Sequence, residues 1–204
     1  MTRRRSAYRS LASLQRDLSV CRACVEAGYP LESLPVRNAL LDQRAYLFGQ
    51  APGPVEGVER RPWRGRAGET LRRWLRMDED EFYSTFYCAS VTRCYPGKHS
   101  TGKGDRVPTP QEQELCDFWR RWELELLRPE LIVPVGGLAI RRLLGITSLA
   151  ECVGRRFERD GRPLVPLPHP SGVSLWLNSP ENRELVARAV ELIHAELASI
   201  GARS

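Results

Sequence analysis

The 204-residue chain lacks any apolar run approaching the ~18 residues that a membrane-spanning helix needs. Its first ten residues, MTRRRSAYRS, are basic, but the apolar segment of a secretory signal does not follow them. These absences predict a soluble, cytoplasmic protein with no membrane partner. Without an export signal, the six cysteines are not expected to form a disulfide framework. Lysine is scarce: most of the 31 basic residues are arginine, whose planar fork suits phosphate groups. A net charge of +6 is compatible with a polyanionic partner, and equally with an ordinary basic surface.

Length and an apolar content of 42% suit one domain, 1–204, with a sizeable core. Residues 6–19 have helical spacing, and a segment 1–43 carrying this helix and a cysteine pair is expected to pack on the rest. Strands are predicted at 44–49, within 81–94, at 130–137 and at 162–172, alternating with helices. Thr109, Pro110 and Glu112 read as a capping box opening a long helix. Ser179 and Pro180 open the last one, with Val186, Ala189, Val190, Ile193 and Leu197 as its core stripe. This alternation predicts a three-layer α/β/α sandwich around a mostly parallel, four-stranded sheet. The stretch GQAPGPVEG (49–57) is too rich in glycine and proline for a regular element and is expected to be an irregular, ligand-holding loop. It should meet CYPGKHS (94–100) and HPSG (169–172) at the carboxyl edge of the sheet, where such folds bind ligands.

Cys21 and Cys24 form a C-x2-C pair, the spacing that lets two thiolates grip one metal centre. Cys94 at a strand end and Cys116 in the capped helix are candidate partners, while Cys88 and Cys152 read as core residues. The residues alone leave tetrahedral zinc and a [4Fe–4S] cluster both open.

Taken together, CRAC, GQAPG, RRPWRGRAG, VTRCYP, PTPQEQELC and PHPSG resemble, in order, the motifs of family 4 uracil-DNA glycosylases, the iron–sulfur branch of that superfamily. The resemblance runs from about Cys21 to the final helix. It implies a monomeric repair enzyme that flips a deaminated base, most often uracil, from DNA and hydrolyses its N-glycosidic bond. It also implies a structural [4Fe–4S] cluster on Cys21, Cys24, Cys94 and Cys116, with zinc as the alternative. His169 matches the histidine facing the base oxygen, and Trp63 the aromatic that stacks on the base. Glu56 matches an acid near the attacking water. Gly49, Gln50, Ala51 and Ser90 fall at base-contacting positions, with Gln50 also beside the chemistry. Ser171, Arg64, Arg66, Lys98 and His99 are implied DNA contacts. Leu175, with Trp176 second, would fill the gap left by the flipped nucleotide.

Three departures matter. Gln50 stands where the family has an acid, and an amide cannot act as a base. Ser90 stands for an asparagine that reads the uracil edge, which brings hypoxanthine into consideration. The longer segment YPGKHSTGKGDRVPT reads as a flexible basic loop on phosphates, although His99 loosely resembles the histidine of a branch that bonds covalently to abasic sugar. Two rivals follow: a non-catalytic iron–sulfur protein that binds damaged DNA, and a covalent abasic-site binder through His99.

Overall fold

A computed structural model describes residue 2, residues 4–171 and residues 175–202. Residues 172–174, from the last residue of the HPSG motif up to Leu175, lie outside that set. The sheet is built from β1 (Ala45–Gly49), β2 (Phe86–Ser90), β3 (Leu131–Pro134), β4 (Phe157–Arg159) and β5 (Arg162–Leu164), in the order β2-β1-β3-β5-β4. β2, β1, β3 and β5 are parallel; β4 pairs antiparallel with β5 at the edge.

Side chains alternate across the pleat, as strands require. Ala45, Leu47, Leu131 and Val133 face one layer, formed by α4 (Arg66–Leu75), α5 (Glu79–Thr85) and α9 (Pro180–Ala202). Tyr46, Phe48, Tyr87, Ala89 and Ile132 face the other, formed by α1 (Leu11–Leu18) and α6 (Pro110–Leu127). The result is a three-layer α/β/α sandwich whose central sheet is mixed and mostly parallel. The remaining short helices are α2 (Ala23–Glu26), α3 (Pro54–Glu59), α7 (Gly137–Leu144) and α8 (Leu149–Cys152).

Three sequence expectations about the fold require correction. The sheet has five strands among the described residues, not four, because 157–164 folds as a hairpin. Its turn, Asp160-Gly161, holds both residues at positive φ (53° and 71°), the mirror-image geometry that matches the twist of paired strands. The GQAPGPVEG stretch is not irregular throughout. Pro54 takes the first position of α3, where its missing N–H costs nothing, and the Glu56 carboxylate accepts the Gly53 N–H at 3.1 Å. The first helix also begins later than predicted, at Leu11, because the Ser10 hydroxyl caps it.

The capping box of α6 forms as read: Thr109 Oγ1 accepts the Glu112 N–H at 3.2 Å, and Glu112 Oε2 accepts the Thr109 N–H at 2.7 Å. Deeper in α6, Glu123 points into the core. Its carboxylate pairs with Arg93 and accepts the hydroxyls of Tyr46 (2.9 Å) and Tyr87 (3.0 Å), whose rings stack 5.7 Å apart on adjacent strands. Two charges this deep are tolerable only because each satisfies the other; removing one partner of such a pair costs about 3–5 kcal/mol. The pair joins α6 to the end of β2, where the site begins.

Candidate active site

The chain steps from β1 outward to β2, then returns to the other side of β1 for β3. Such a reversal opens a crevice at the carboxyl ends of the strands. A cavity of about 550 Å³ lies here. Gly49, Gln50 and Ala51 line it from the end of β1, Ser90 from the end of β2, Arg93 from beyond β2, and Gly136 from beyond β3. Trp63, Asp105, His169 and Ser171 complete its wall. The loop after β1 is fixed by its neighbours: Gly49 O accepts the Val91 N–H at 2.9 Å, and Gln50 O accepts the Thr92 N–H at 3.2 Å.

Two glycines set the positions of the aromatic groups. A Cβ at Gly49 would stand 2.9 Å from Trp63 Cζ2, so only glycine lets the indole lie over the strand end. Gly136 (φ +89°) would bring a Cβ within 3.3 Å of His169. The indole and imidazole centroids are 6.3 Å apart, with planes inclined by 36°. Trp63 itself is left-handed (φ 56°), a conformation costing about 1–3 kcal/mol for a bulky residue. Arg72 Nη1 holds its carbonyl at 2.9 Å.

His169 is held neutral: burial pushes its pKa below the ordinary 6.5, outweighing the opposing effect of Glu56. Its Nδ1 accepts the Ser171 N–H at 3.3 Å, so the neutral ring carries its proton on Nε2. The ring is therefore a hydrogen-bond donor toward a pocket occupant. Glu56 is tied down by comparison. It is only 9% exposed, and besides Gly53 its carboxylate accepts the Gly65 N–H at 2.8 Å, joining the two loops that flank Trp63. The Ser90 hydroxyl donates to Thr92 O at 2.7 Å, within its own turn.

Residues 38–199 match the family model of the Uracil DNA glycosylase superfamily. The chain belongs to this superfamily. It is 30% identical over 178 residues to a type-4 uracil-DNA glycosylase of Thermotoga maritima, an alignment covering 84% of this chain and 86% of the relative. It is 28% identical over 188 residues to the type-4 uracil-DNA glycosylase of Archaeoglobus fulgidus, covering 86% and 87%. A crystal structure of wild-type SMUG2 from Pedobacter heparinus aligns over 76% of each chain at 16% identity and a TM-score of 0.46. Membership supports a DNA-glycosylase function at the level of the family. Among the described residues, no helix is long and apolar enough to cross a membrane.

The C-x2-C pair and its two candidate partners lie close together. Cys21, Cys24, Cys94 and Cys116 line one small cavity beneath α6. No three His, Cys, Asp or Glu side chains among the described residues form a group that could hold a single metal ion. The surroundings fit an anionic, sulfur-rich group. Thr92, Arg93 and Trp119 line the same cavity, and Thr92 Oγ1, Arg93 Nε and Trp119 Nε1 are buried without hydrogen-bond partners. The Arg93 N–H already donates to Cys116 Sγ at 3.3 Å. Burial, and then the nearby Cys21, push the Cys24 thiol up to about 11. Cys88 and Cys152 are buried core residues, as read, although Cys88 also touches the cavity at the strand ends.

The expected DNA contacts divide. Arg66 is exposed on the cavity rim, at the first turn of α4. Arg64 is engaged instead with Glu59 at 2.7 Å and Glu79 at 2.5 Å, so that phosphate would have to displace two carboxylates. Leu175 is 81% exposed, whereas Trp176 packs against the core. The segment expected to be a flexible basic loop is a small hairpin: Lys98 pairs with Asp105, and Arg106 N–H donates to Gly97 O at 3.0 Å. His99 sits exposed at its tip, with Nδ1 2.9 Å from Thr101 Oγ1, and does not line the cavity. Spacing gave no sign of Arg93, Glu123 or Asp105, whose positions depend on long-range packing.

A histidine whose folded pKa is depressed binds protons more readily in the unfolded chain, so it lowers stability as pH falls below about 6.5 toward its folded value. Thermal melts of wild type and His169→Gln between neutral and mildly acidic pH test this. The wild type should lose more stability than the variant; parallel curves would mean that His169 is not held neutral.

Proposed function

We propose that this chain is a monofunctional glycosylase that extrudes a deaminated base from DNA, uracil foremost, and hydrolyses its N-glycosidic bond to leave an abasic site. The observation that carries this reading is a neutral imidazole with its centroid 6.3 Å from an indole, in a glycine-walled cavity at the sheet's switch point. An extruded base would stack on Trp63, an interaction worth about 1–3 kcal/mol. Main-chain groups of 49–51 and the Gln50 amide would meet its edge. As the bond from C1′ to the base breaks, negative charge collects on the base oxygen, and the Nε2–H of His169 donates there. Leu175 is free to enter the vacated stack, and Arg66 to hold a flanking phosphate.

We assign Cys21, Cys24, Cys94 and Cys116 as thiolate ligands of a [4Fe–4S] cluster, with zinc as the alternative. The thiols line a cavity with unpartnered donors around it, an arrangement suited to a polynuclear group. Bound there, the cluster would supply cross-linking between the N-terminal segment, the end of β2 and α6. The protein residues do the rest: Arg93 orients Cys116 by its backbone and the Ser90 carbonyl by its guanidinium, at 2.8 Å.

Single-turnover release from oligonucleotides carrying uracil, hypoxanthine or xanthine, scored by alkali cleavage, tests the activity. Wild type should yield alkali-labile product, fastest from uracil, and His169→Ala should be slower by about 10²–10³-fold. Retained DNA binding without release from any base would instead establish a damage-binding protein. For the ligand set, Cys94→Ala should lose the visible absorbance of an iron–sulfur cluster and melt at lower temperature. A variant that keeps both colour and stability would remove Cys94 from the set.

A further inference from the structure

Hydrolysis needs a group to take a proton from the attacking water, and the residues aligned with family positions supply none that is free. Gln50 is an amide. His169 presents a proton rather than a lone pair to the occupant. Glu56 has each oxygen committed to a backbone N–H that joins two loops. A second carboxylate, Asp105, reaches the same cavity from the hairpin between β2 and α6. Its Oδ1 accepts the Tyr95 hydroxyl at 3.1 Å and the Lys98 ammonium at 3.3 Å, which fixes the group in place. Its Oδ2 has no hydrogen bond among the described residues and lies 3.7 Å from where a Cβ of Gly53 would stand, against the loop that follows β1. With the side chain 35% exposed, water has access to it.

We infer that Asp105 is the catalytic base that activates the water, an assignment that rests on the glycosylase reading above. The water oxygen bonds to C1′ as the bond from C1′ to the base breaks, and that electron pair leaves with the base toward His169. The water proton passes to Asp105 Oδ2 and from there to solvent, while the base anion takes up a proton after release. The inserted segment, on this view, restores the acid–base function that Gln50 cannot perform and Glu56 is too constrained to perform.

Asp105→Asn and Asp105→Ala, compared with wild type, separate this role from a structural one. Single-turnover release should fall by about 10²-fold or more. Affinity for a duplex carrying non-cleavable 2′-fluoro-deoxyuridine should stay at the wild-type value, and added formate should restore part of the release by Asp105→Ala. Release by Asp105→Asn at the wild-type rate, or a loss of rate matched by a loss of binding, would overturn the assignment while leaving the glycosylase reading intact. Failure of wild type itself to release a base would overturn both.

Discussion

The buried pair of Arg93 and Glu123 is the constraint on which the rest of the architecture turns. An arginine and a glutamate enclosed between the sheet and α6 can remain charged there only while paired and hydrogen-bonded, so the fold must close around them in one arrangement. The two stacked tyrosines from β1 and β2 complete the carboxylate's hydrogen bonds. Arg93 also borders both cavities of interest. Its guanidinium holds the carbonyl of Ser90 on the base side, and its backbone holds the sulfur of Cys116 on the cysteine side.

Much of this was legible beforehand because its signals are local. The capping box at Thr109 and Glu112, the alternation of strands with helices, and the convergence of three odd loops on one sheet edge follow from short-range chemistry. Cys21, Cys24, Cys94 and Cys116 line one cavity, although β2 ends at Ser90 and not at Cys94 as the sequence suggested. The edge hairpin went unread, because its two strands are only three residues long and carry little periodicity. The helix at Pro54 was obscured by its own cap, since glycine and proline mark a helix start as readily as they mark a loop.

What could not be read depends on contacts distant in sequence. Glu123 looks like any polar residue of an amphipathic helix until Arg93, thirty residues earlier, is placed beneath it. Arg64 looks free for phosphate until Glu59 and Glu79 close on it. Asp105 stands in a segment whose composition suggests only solvent exposure; the hairpin pairing with Lys98 turns it toward the cavity. The departures at Gln50 and Ser90 then acquire a physical meaning. The first side chain can form hydrogen bonds without acting as a base, and the second spends its hydroxyl on Thr92.

The central claim is that this cavity receives a base turned out of the helix. The most direct measurement is the fluorescence of 2-aminopurine placed beside a non-cleavable 2′-fluoro-deoxyuridine in duplex DNA, followed as the protein is added. Extrusion unstacks the probe, and the account predicts a saturable rise in its emission that tracks binding. Saturable binding with no change in emission would mean that the base stays in the helix, and would contradict the account.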